Sequence, residues 1–287
     1  MKLTIFTPAY NRGDMLPRLY ESLKAQTCFD FEWLIVDDGS TDDTAAVVEG
    51  FLKETQFPVR YYHKENGGKH TAHNLAVTLA QGKWFLCVDS DDYLTHDAVA
   101  DLVAALDTEN RGVAAYKQMP DGKLFSGEFP AAVTACHFGE LIKTYGCEGE
   151  FSLVFPTDLL KKYPFPVFAG ERFVTESVVY DRLDGECEFL LLPKAVTVCQ
   201  YQEDGYSQNA NSLMARNPNG YCLYFMQRVD WAPSFSQRVA CAGKYWCFRL
   251  ICKNPELDYR GKHPVLTLLC LPLGIVFRIY YKCIRGF

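Results

Sequence analysis

From its amino terminus the chain repeats one pattern, in which a short apolar run ends in a polar loop and is followed by apolar residues at helical spacing. Leu3 to Phe6 is the first run, and Thr7-Pro8-Ala9-Tyr10-Asn11-Arg12-Gly13-Asp14 the loop after it. Leu16, Leu19, Tyr20 and Leu23 fall at i, i+3, i+4 and i+7, which predicts a helix capped by Asp14, with Pro17 tolerable in its first turn. Phe31 to Val36 predicts a second strand ending in Asp37-Asp38-Gly39-Ser40-Thr41-Asp42, and a helix follows over Asp43 to Lys53. Val59 to His63 predicts a third strand. Beyond it lie Glu65-Asn66-Gly67-Gly68-Lys69-His70 and a helix from Thr71 to Ala80, closed by Gly82. Trp84 to Val88 predicts a buried fourth strand that stops at Asp89, Asp91 and Asp92, before a helix over His96 to Leu106.

Strands alternating with helices of this length imply right-handed βαβ units and a parallel sheet, an α/β fold. Ligands of such sheets bind beyond the carboxyl ends of the strands. Four loops meet that edge, supplying Tyr10 and Asn11, then Asp37 and Asp38, then Gly67 to Lys69, then Asp89 to Asp92. No GxGxxG follows the first strand and no GxxxxGK[ST] occurs, which sets aside the common dinucleotide fold and the P-loop enzymes.

The second half is less periodic. Val113 to Tyr116 predicts a strand, Pro120-Asp121-Gly122 a hairpin turn, Phe151 to Phe155 a strand and Thr157 to Tyr163 a short helix. Glu188 to Leu192 and Val196 to Tyr201 read as a pair of strands, with a polar loop over Gln202 to Asn209. From about Gly220 helical spacing returns, in Tyr221, Tyr224, Phe225 and Arg228 and again over Arg238 to Cys252. Val265 to Phe277 is almost wholly apolar, but it is shorter than the ~20 residues a spanning helix needs, and Pro272 and Gly274 interrupt it. Lys253 to the end holds six Lys or Arg against two acids. That charge suits the surface of an anionic bilayer; the alternative is a terminal helix packed on its own core.

Composition narrows the classes. With 287 residues, 48% apolar and 22% charged, the chain has the make-up of a globular protein. A net charge of -6 argues against nucleic acid as a partner. The twelve cysteines form no CxxC pair or zinc pattern and read as reduced, mostly core, thiols. Met1-Lys2 runs straight into the first strand with no signal-peptide apolar region, so a cytoplasmic location is expected. Asp89, Asp91 and Asp92 repel one another, and a cation that prefers hard oxygen ligands, Mg²⁺ or Mn²⁺, would offset this. The competing explanation is that Asp92 or Thr95 caps the next helix. His70 and His73 are helical neighbours without a third histidine, which favours core or capping roles over a metal pair.

Thr7-Pro8-Ala9-Tyr10-Asn11, Val36-Asp37-Asp38-Gly39-Ser40-Thr41-Asp42, Asn66-Gly67-Gly68 with Ala72-His73-Asn74, and Asp89-Ser90-Asp91-Asp92 resemble, in order and spacing, the family 2 glycosyltransferases of the GT-A fold. The resemblance is close over about residues 1 to 110. It implies a Rossmann-like, mostly parallel sheet flanked by helices, a nucleotide-diphosphate sugar donor (most often a UDP-sugar), a divalent metal on a DxD motif, and inversion at the anomeric carbon. It further implies donor binding by Thr7, Pro8, Tyr10, Asn11, Asp38, Gly68, Lys69, Asp89 and Ser90, with Asp38 accepting from the base, and metal ligation by Asp91, Asp89 or Asp92. Turn formation with Gly39 and Ser40 is the competing role for Asp37 and Asp38, and plain solvation that for Lys69.

Glu171-Arg172-Phe173-Val174-Thr175-Glu176-Ser177, leading to Arg182-Leu183, resembles the segment where relatives carry an acidic pair. This places Glu176 at the catalytic base, although Thr175 stands where an acid is common and Glu replaces the usual Asp; Glu171 is second choice. A first-turn acid stabilised by the helix dipole is the alternative for Glu176. The expected organisation is a transferase domain over 1–215, with a donor half (1–110) and an acceptor half (111–215), and a helical extension over 216–287 that contacts the inner face of the plasma membrane. A glycan or lipid-linked acceptor follows. The rival functions are a sugar-phosphate nucleotidyltransferase, which needs a basic glycine-rich loop where Pro8-Ala9-Tyr10 stands, and a nucleotide-sugar-binding protein without catalysis.

Overall fold

The computed structural model describes residues 1–106, 111–199, 210–252 and 254–284. The Gln202 to Asn209 loop lies outside them. By its contacts the chain divides into two compact units, Met1–Pro164 with Leu183–Gln202, and Phe165–Arg182 with Glu203–Phe287.

The first unit is built on one nine-stranded sheet. Its strands are β1 (Leu3–Ala9), β2 (Phe31–Asp37), β3 (Val59–His63), β4 (Trp84–Cys87), β5 (Tyr93–Leu94), β6 (Gly112–Gln118), β7 (Ala135–His137), β8 (Phe151–Pro156) and β9 (Glu188–Val198). The order is β3-β2-β1-β4-β8-β6-β9-β5, with β7 paired to β9. The first four are mutually parallel, as βαβ crossovers require, and β8 enters antiparallel beside β4. The expected pair of strands over Glu188 to Tyr201 is instead one strand, β9. Its register against β6 shifts on either side of Tyr116, so a bulge rather than a turn absorbs the irregular sequence near Pro193.

Helices α1 (Leu16–Lys24), α2 (Thr44–Glu54), α3 (Lys69–Leu79) and α4 (Ala98–Ala105) follow the first strands, and α5 (Phe138–Lys143) and α6 (Thr157–Lys162) follow later ones. α1 buries Leu16, Leu19, Tyr20 and Leu23, the residues its spacing marks, and they join Ile5, Trp33, Ile35 and Leu86 in one core. Two details depart from expectation. Asp14 does not cap α1, which begins after Met15 without a side-chain cap. Gly82 does not close α3, whose C-cap is Ala80 in extended conformation; a Cβ at Gly82 would stand 2.4 Å from the Thr4 amide, so glycine there lets the chain pass against β1.

The second unit is helical. It contains α7 (Ser177–Leu183, up to Arg182), α8 (Ala210–Arg216), α9 (Pro218–Trp231), α10 (Phe235–Arg249), α11 (Pro264–Leu269) and α12 (Leu271–Ile284). Aromatic stacking joins α9 to α10, with Phe248 5.6 Å from Tyr221 and 5.7 Å from Phe225 between ring centres. The apolar run over Val265 to Phe277 breaks at Cys270, next to Pro272. No helix among the described residues is long and apolar enough to cross a membrane.

Candidate functional site

The carboxyl ends of β1, β2, β3 and β4 open into the four loops marked in the sequence, and each loop is tied to the next. The first is joined to the second by Asn11, whose amide donates to Ser40 Oγ (2.8 Å) and whose Oδ1 accepts from the Thr41 amide (2.8 Å). Asn11 holds φ +53°, a left-handed conformation that asparagine tolerates better than most residues. The second loop reaches the third through Asp38. Its Oδ1 accepts from the Gly67 amide (2.9 Å) and from Lys64 Nζ (2.5 Å), and its Oδ2 from the Gly68 amide (2.6 Å). Gly68, at φ +92°, turns the chain into α3. The third loop reaches the fourth through Lys69, the first residue of α3, whose Nζ lies 2.7 Å from Asp89 Oδ1.

Asp37 and Asp38 therefore do different work. Asp37 is fully buried, caps its own turn by accepting from the Ser40 amide (2.7 Å) and accepts from Tyr61 Oη (2.6 Å). Asp38 organises the glycine loop. A carboxylate offers roughly four acceptor sites, and three of those of Asp38 are filled. Lys64 carries no motif signal; only its place straight after a parallel strand could have marked it.

In the fourth loop Asp92 N donates to Asp89 O (3.0 Å), and Arg18 of α1 donates to the Asp91 carbonyl while its guanidinium lies 4.9 Å from the Tyr93 ring centre. Asp91 is half-buried. Burial opposes ionisation of Asp89, yet Lys69 and then Lys117 hold its carboxyl below the usual range. Asp92 is buried and already engaged: Cys199 Sγ donates to it (3.1 Å), and Lys117 Nζ lies 3.7 Å away. Burial raises its carboxyl to about 6, with Lys117 opposing. Burial likewise pushes the Cys199 thiol up, so it donates as a neutral S–H. Lys117, missed in the sequence, keeps its charge although burial disfavours it, because the carboxylates of Asp92 and Asp89 attract it.

The capping role weighed for Asp92 and Thr95 does not hold, since the N-cap position of α4 is Asp97 and Thr95 Oγ1 donates to Ala195 O (3.0 Å). The Asp92 carboxylate meets Cys199 and Lys117 through Oδ2. Asp89 and Asp91 offer hard oxygen donors that suit Mg²⁺ or Mn²⁺. Among the described residues, however, no three His, Cys, Asp or Glu side chains converge as a ready cluster.

Of the other marked residues, Tyr10 is 46% exposed at the end of β1 and Pro8 is half-buried beside it. Ser90 is buried. Thr7 is fully buried, and its Oγ1 accepts from Trp33 Nε1 (3.0 Å). His73 packs edge-on against Phe6 and Phe85, at 5.8 and 5.2 Å between ring centres. His70 is buried with neither ring nitrogen hydrogen-bonded, and that burial lowers it to about 4.

Glu176 and Glu171 belong to the second unit. Glu176 is exposed, and its carbonyl accepts from the Val179 and Tyr180 amides (both 3.0 Å), which makes it the residue that opens α7. Glu171, the second choice of base, is buried at the start of α9. Its Oε1 accepts from the Asn219 amide (2.7 Å) and Nδ2 (2.6 Å), and its Oε2 from the Gly220 amide (2.9 Å). It is a helix cap with its acceptors occupied, complementing the helix dipole.

A parallel β3-β2-β1-β4 sheet joined to antiparallel strands, with a DxD turn after β4, defines the GT-A class of nucleotide-sugar transferase folds. Residues 4–129 match the family described as glycosyl transferase family 2, and this stretch of the chain belongs to it. Among curated relatives, the poly(ribitol-phosphate) beta-N-acetylglucosaminyltransferase TarS of Staphylococcus aureus is 33% identical over 119 residues, 41% of this chain and 21% of that protein. The chondroitin synthase of Pasteurella multocida is 36% identical over 136 residues, 44% of this chain and 14% of that one. These matches span about a fifth or less of those relatives' length. Among solved structures, S. aureus TarS 1–349 in complex with UDP-GlcNAc superposes with a TM-score of 0.64 at 19% identity, over 100% of this chain and 92% of that one. GalNAc-T7 with UDP, GalNAc and Mn²⁺ gives 0.62 at 11% identity, over 100% and 57%.

Proposed function

We propose that the protein moves a sugar from a nucleotide-diphosphate sugar, a UDP-sugar in this reading, to a hydroxyl on a glycan or lipid-linked acceptor, with inversion at the anomeric carbon. The observation that carries the reading is the stitching of four polar loops along one sheet edge, from Asn11 to Asp38 to Lys69 to Asp89. Cross-tied loops hold their polar groups in place before a ligand arrives, which lowers the ordering cost of binding.

In this reading Asp38 keeps one acceptor site for the ring N–H of the base, with exposed Tyr10 and Pro8 against base and ribose. Gly67 and Gly68 let the diphosphate come close to backbone. Asp89 and Asp91 would hold a Mg²⁺ or Mn²⁺ ion, whose chemistry is to neutralise the leaving diphosphate. Lys69 and Lys117 balance the charge of this turn. Glu176 takes the proton of the acceptor hydroxyl as that oxygen bonds to the anomeric carbon and the bond to the diphosphate breaks. The exposure of Glu176 at the start of α7 and the hydrogen bonds already on the Glu171 carboxylate support this choice. A cytoplasmic enzyme bound peripherally at the plasma membrane fits an acceptor carried on lipid.

The test is nucleotide release from UDP-, GDP- and dTDP-sugars with Mn²⁺, Mg²⁺ or EDTA, for the parent and Asp91→Ala. Turnover of a UDP-sugar that needs metal, and falls ~100-fold or more in Asp91→Ala, is expected. Metal-independent release, or full activity of Asp91→Ala, would overturn the assignment of the acidic turn.

A further inference from the structure

Helices α11 and α12 carry apolar side chains on two sides, and only one side is packed. On the packed side Thr267 and Cys270 are buried, and Trp246 Nε1 of α10 donates to Thr267 O (2.5 Å). α12 crosses α10 closely: a Cβ at Gly243 would meet Leu273 at 2.7 Å, and one at Gly274 would meet Trp246 at 2.3 Å. The two helices are thus fixed to their unit. Their other side presents Val265, Leu268, Leu269, Ile275, Val276 and Ile279, each 45% to 72% exposed. Single exposed aliphatics are ordinary, but a series of them on consecutive helices marks an interaction surface. Ile275, Val276 and Ile279 fall at i, i+1 and i+4, which makes one stripe along α12.

Charge selects the occupant. From Tyr259 to Phe287 the sequence has five Lys or Arg and no Asp or Glu, in a chain whose net charge is -6. Lys262, just before α11, and Lys282, near the end of α12, are both exposed, so the apolar side is bracketed by cations. A second copy of this chain would bring those like charges together across a two-fold interface. Protein interfaces also tend to exclude lysine. An anionic lipid surface takes both features at once, aliphatic side chains at the acyl boundary and lysines at the headgroups. Since no described helix can cross a bilayer, the pair must lie along it.

We propose that α11 and α12 form a docking face for an anionic bilayer, entered by Val265, Leu268, Leu269, Ile275, Val276 and Ile279 and steered by Lys262 and Lys282. The proposal deepens the reading of a lipid-borne acceptor, but its test uses neither donor nor acceptor, so either can fail alone.

The experiment is flotation of the full chain with vesicles of phosphatidylcholine alone or with 30% phosphatidylglycerol, in 0.15 M and 1 M salt. Binding to the anionic vesicles that weakens in high salt is expected. Lys262→Gln with Lys282→Gln should weaken it about 20-fold, and Ile275→Ser with Ile279→Ser at least tenfold. All four positions are exposed, and circular dichroism should match the parent. Equal binding by parent and both variants, or none to anionic vesicles, overturns the proposal. So does a concentration-dependent dimer in sedimentation velocity that Ile275→Ser with Ile279→Ser dissolves without changing flotation, which would assign the face to a second copy.

Discussion

At the amino edge of the parallel strands Glu32 is fully buried and accepts from Thr4 Oγ1 (2.6 Å), the Gln81 amide (2.7 Å) and Arg60 Nη1 (3.0 Å), while at the carboxyl edge Asp38 and Asp89 are paired with Lys64 and Lys69. Both edges set carboxylates beside cations, buried at Glu32 and Asp38 and half-buried at Asp89. The partners differ in kind. Arg60 is itself fixed, donating also to Leu79 O and Tyr62 Oη (both 2.8 Å). Lys64 is tied in a similar way, donating also to Glu65 O (2.5 Å) and Thr71 Oγ1 (2.8 Å), whereas Lys69, a point charge on a flexible stem, pairs with Asp89, whose side chain is 36% exposed. One edge is a closed network that stabilises the sheet, and the other reaches solvent at the Lys69–Asp89 pair.

The largest effect that would sharpen this contrast is on Glu32. Glu32→Ala leaves Arg60 without its carboxylate and two donors without an acceptor, at a cost of ~3–5 kcal/mol. Urea unfolding should show that loss, while UDP affinity of the folded fraction stays within about twofold. A fall in affinity beyond that would show the two edges to be coupled and break the comparison.

Next comes acid. His70 stays neutral down to about 4 because burial disfavours its charge, with Asp38 opposing and Lys64 assisting. Between ordinary histidine values and 4 the unfolded chain binds a proton that the folded one does not, so this contribution to stability is present above ~6.5 and is lost as pH falls towards 4. The full span is on the order of 3 kcal/mol. Urea midpoints at pH 4.5 to 7.5 should fall more steeply with acid for the parent than for His70→Gln; parallel curves would place His70 outside this linkage.

A smaller effect belongs to Lys64. Lys64→Met removes one of the three donors to Asp38 and should cost about 2 kcal/mol, less than Glu32→Ala, because the Gly67 and Gly68 amides remain. Unlike Glu32→Ala it should also change UDP affinity, read by calorimetry, since it leaves Asp38 with more negative charge beside the glycine loop. An unchanged affinity would show that Lys64 serves only the loop's own hydrogen bonds.

How much of this the sequence discloses depends on whether the information is local. The four strands, the helix face of Leu16, Leu19, Tyr20 and Leu23, and the loops at one edge are periodic or punctuated signals, and the structure places them within a few residues of expectation. Lys64, Lys117 and Cys199 escape because their meaning lies in partners 26, 25 and 107 residues away, Asp38 and Asp92. Glu171 misleads for the same reason, since the amides it caps lie 48 and 49 residues on. The two strands expected over Glu188 to Tyr201 fail differently. Pro193 signals a turn, and an edge-tolerant bulge satisfies it equally well.

Thr7 gives the smallest prediction and the finest test of the comparison. It sits in the motif that resembles a donor-binding loop, five residues from the amino end of β1, yet period-two alternation along the strand sends its side chain towards Trp33 rather than outward. Thr7→Val keeps the shape and deletes the acceptor of the indole N–H, which should cost about 1 kcal/mol, the lower end of leaving a buried donor unpaired. Donor affinity and turnover should match the parent, because in the proposed reading the ligand meets Tyr10 and Pro8 and this hydroxyl stays with Trp33. The measurement is a pair, the urea midpoint and the UDP dissociation constant. If stability is unchanged and affinity falls, the hydroxyl leaves Trp33 for the ligand, and the carboxyl edge extends one residue deeper into β1 than its hydrogen bonds indicate.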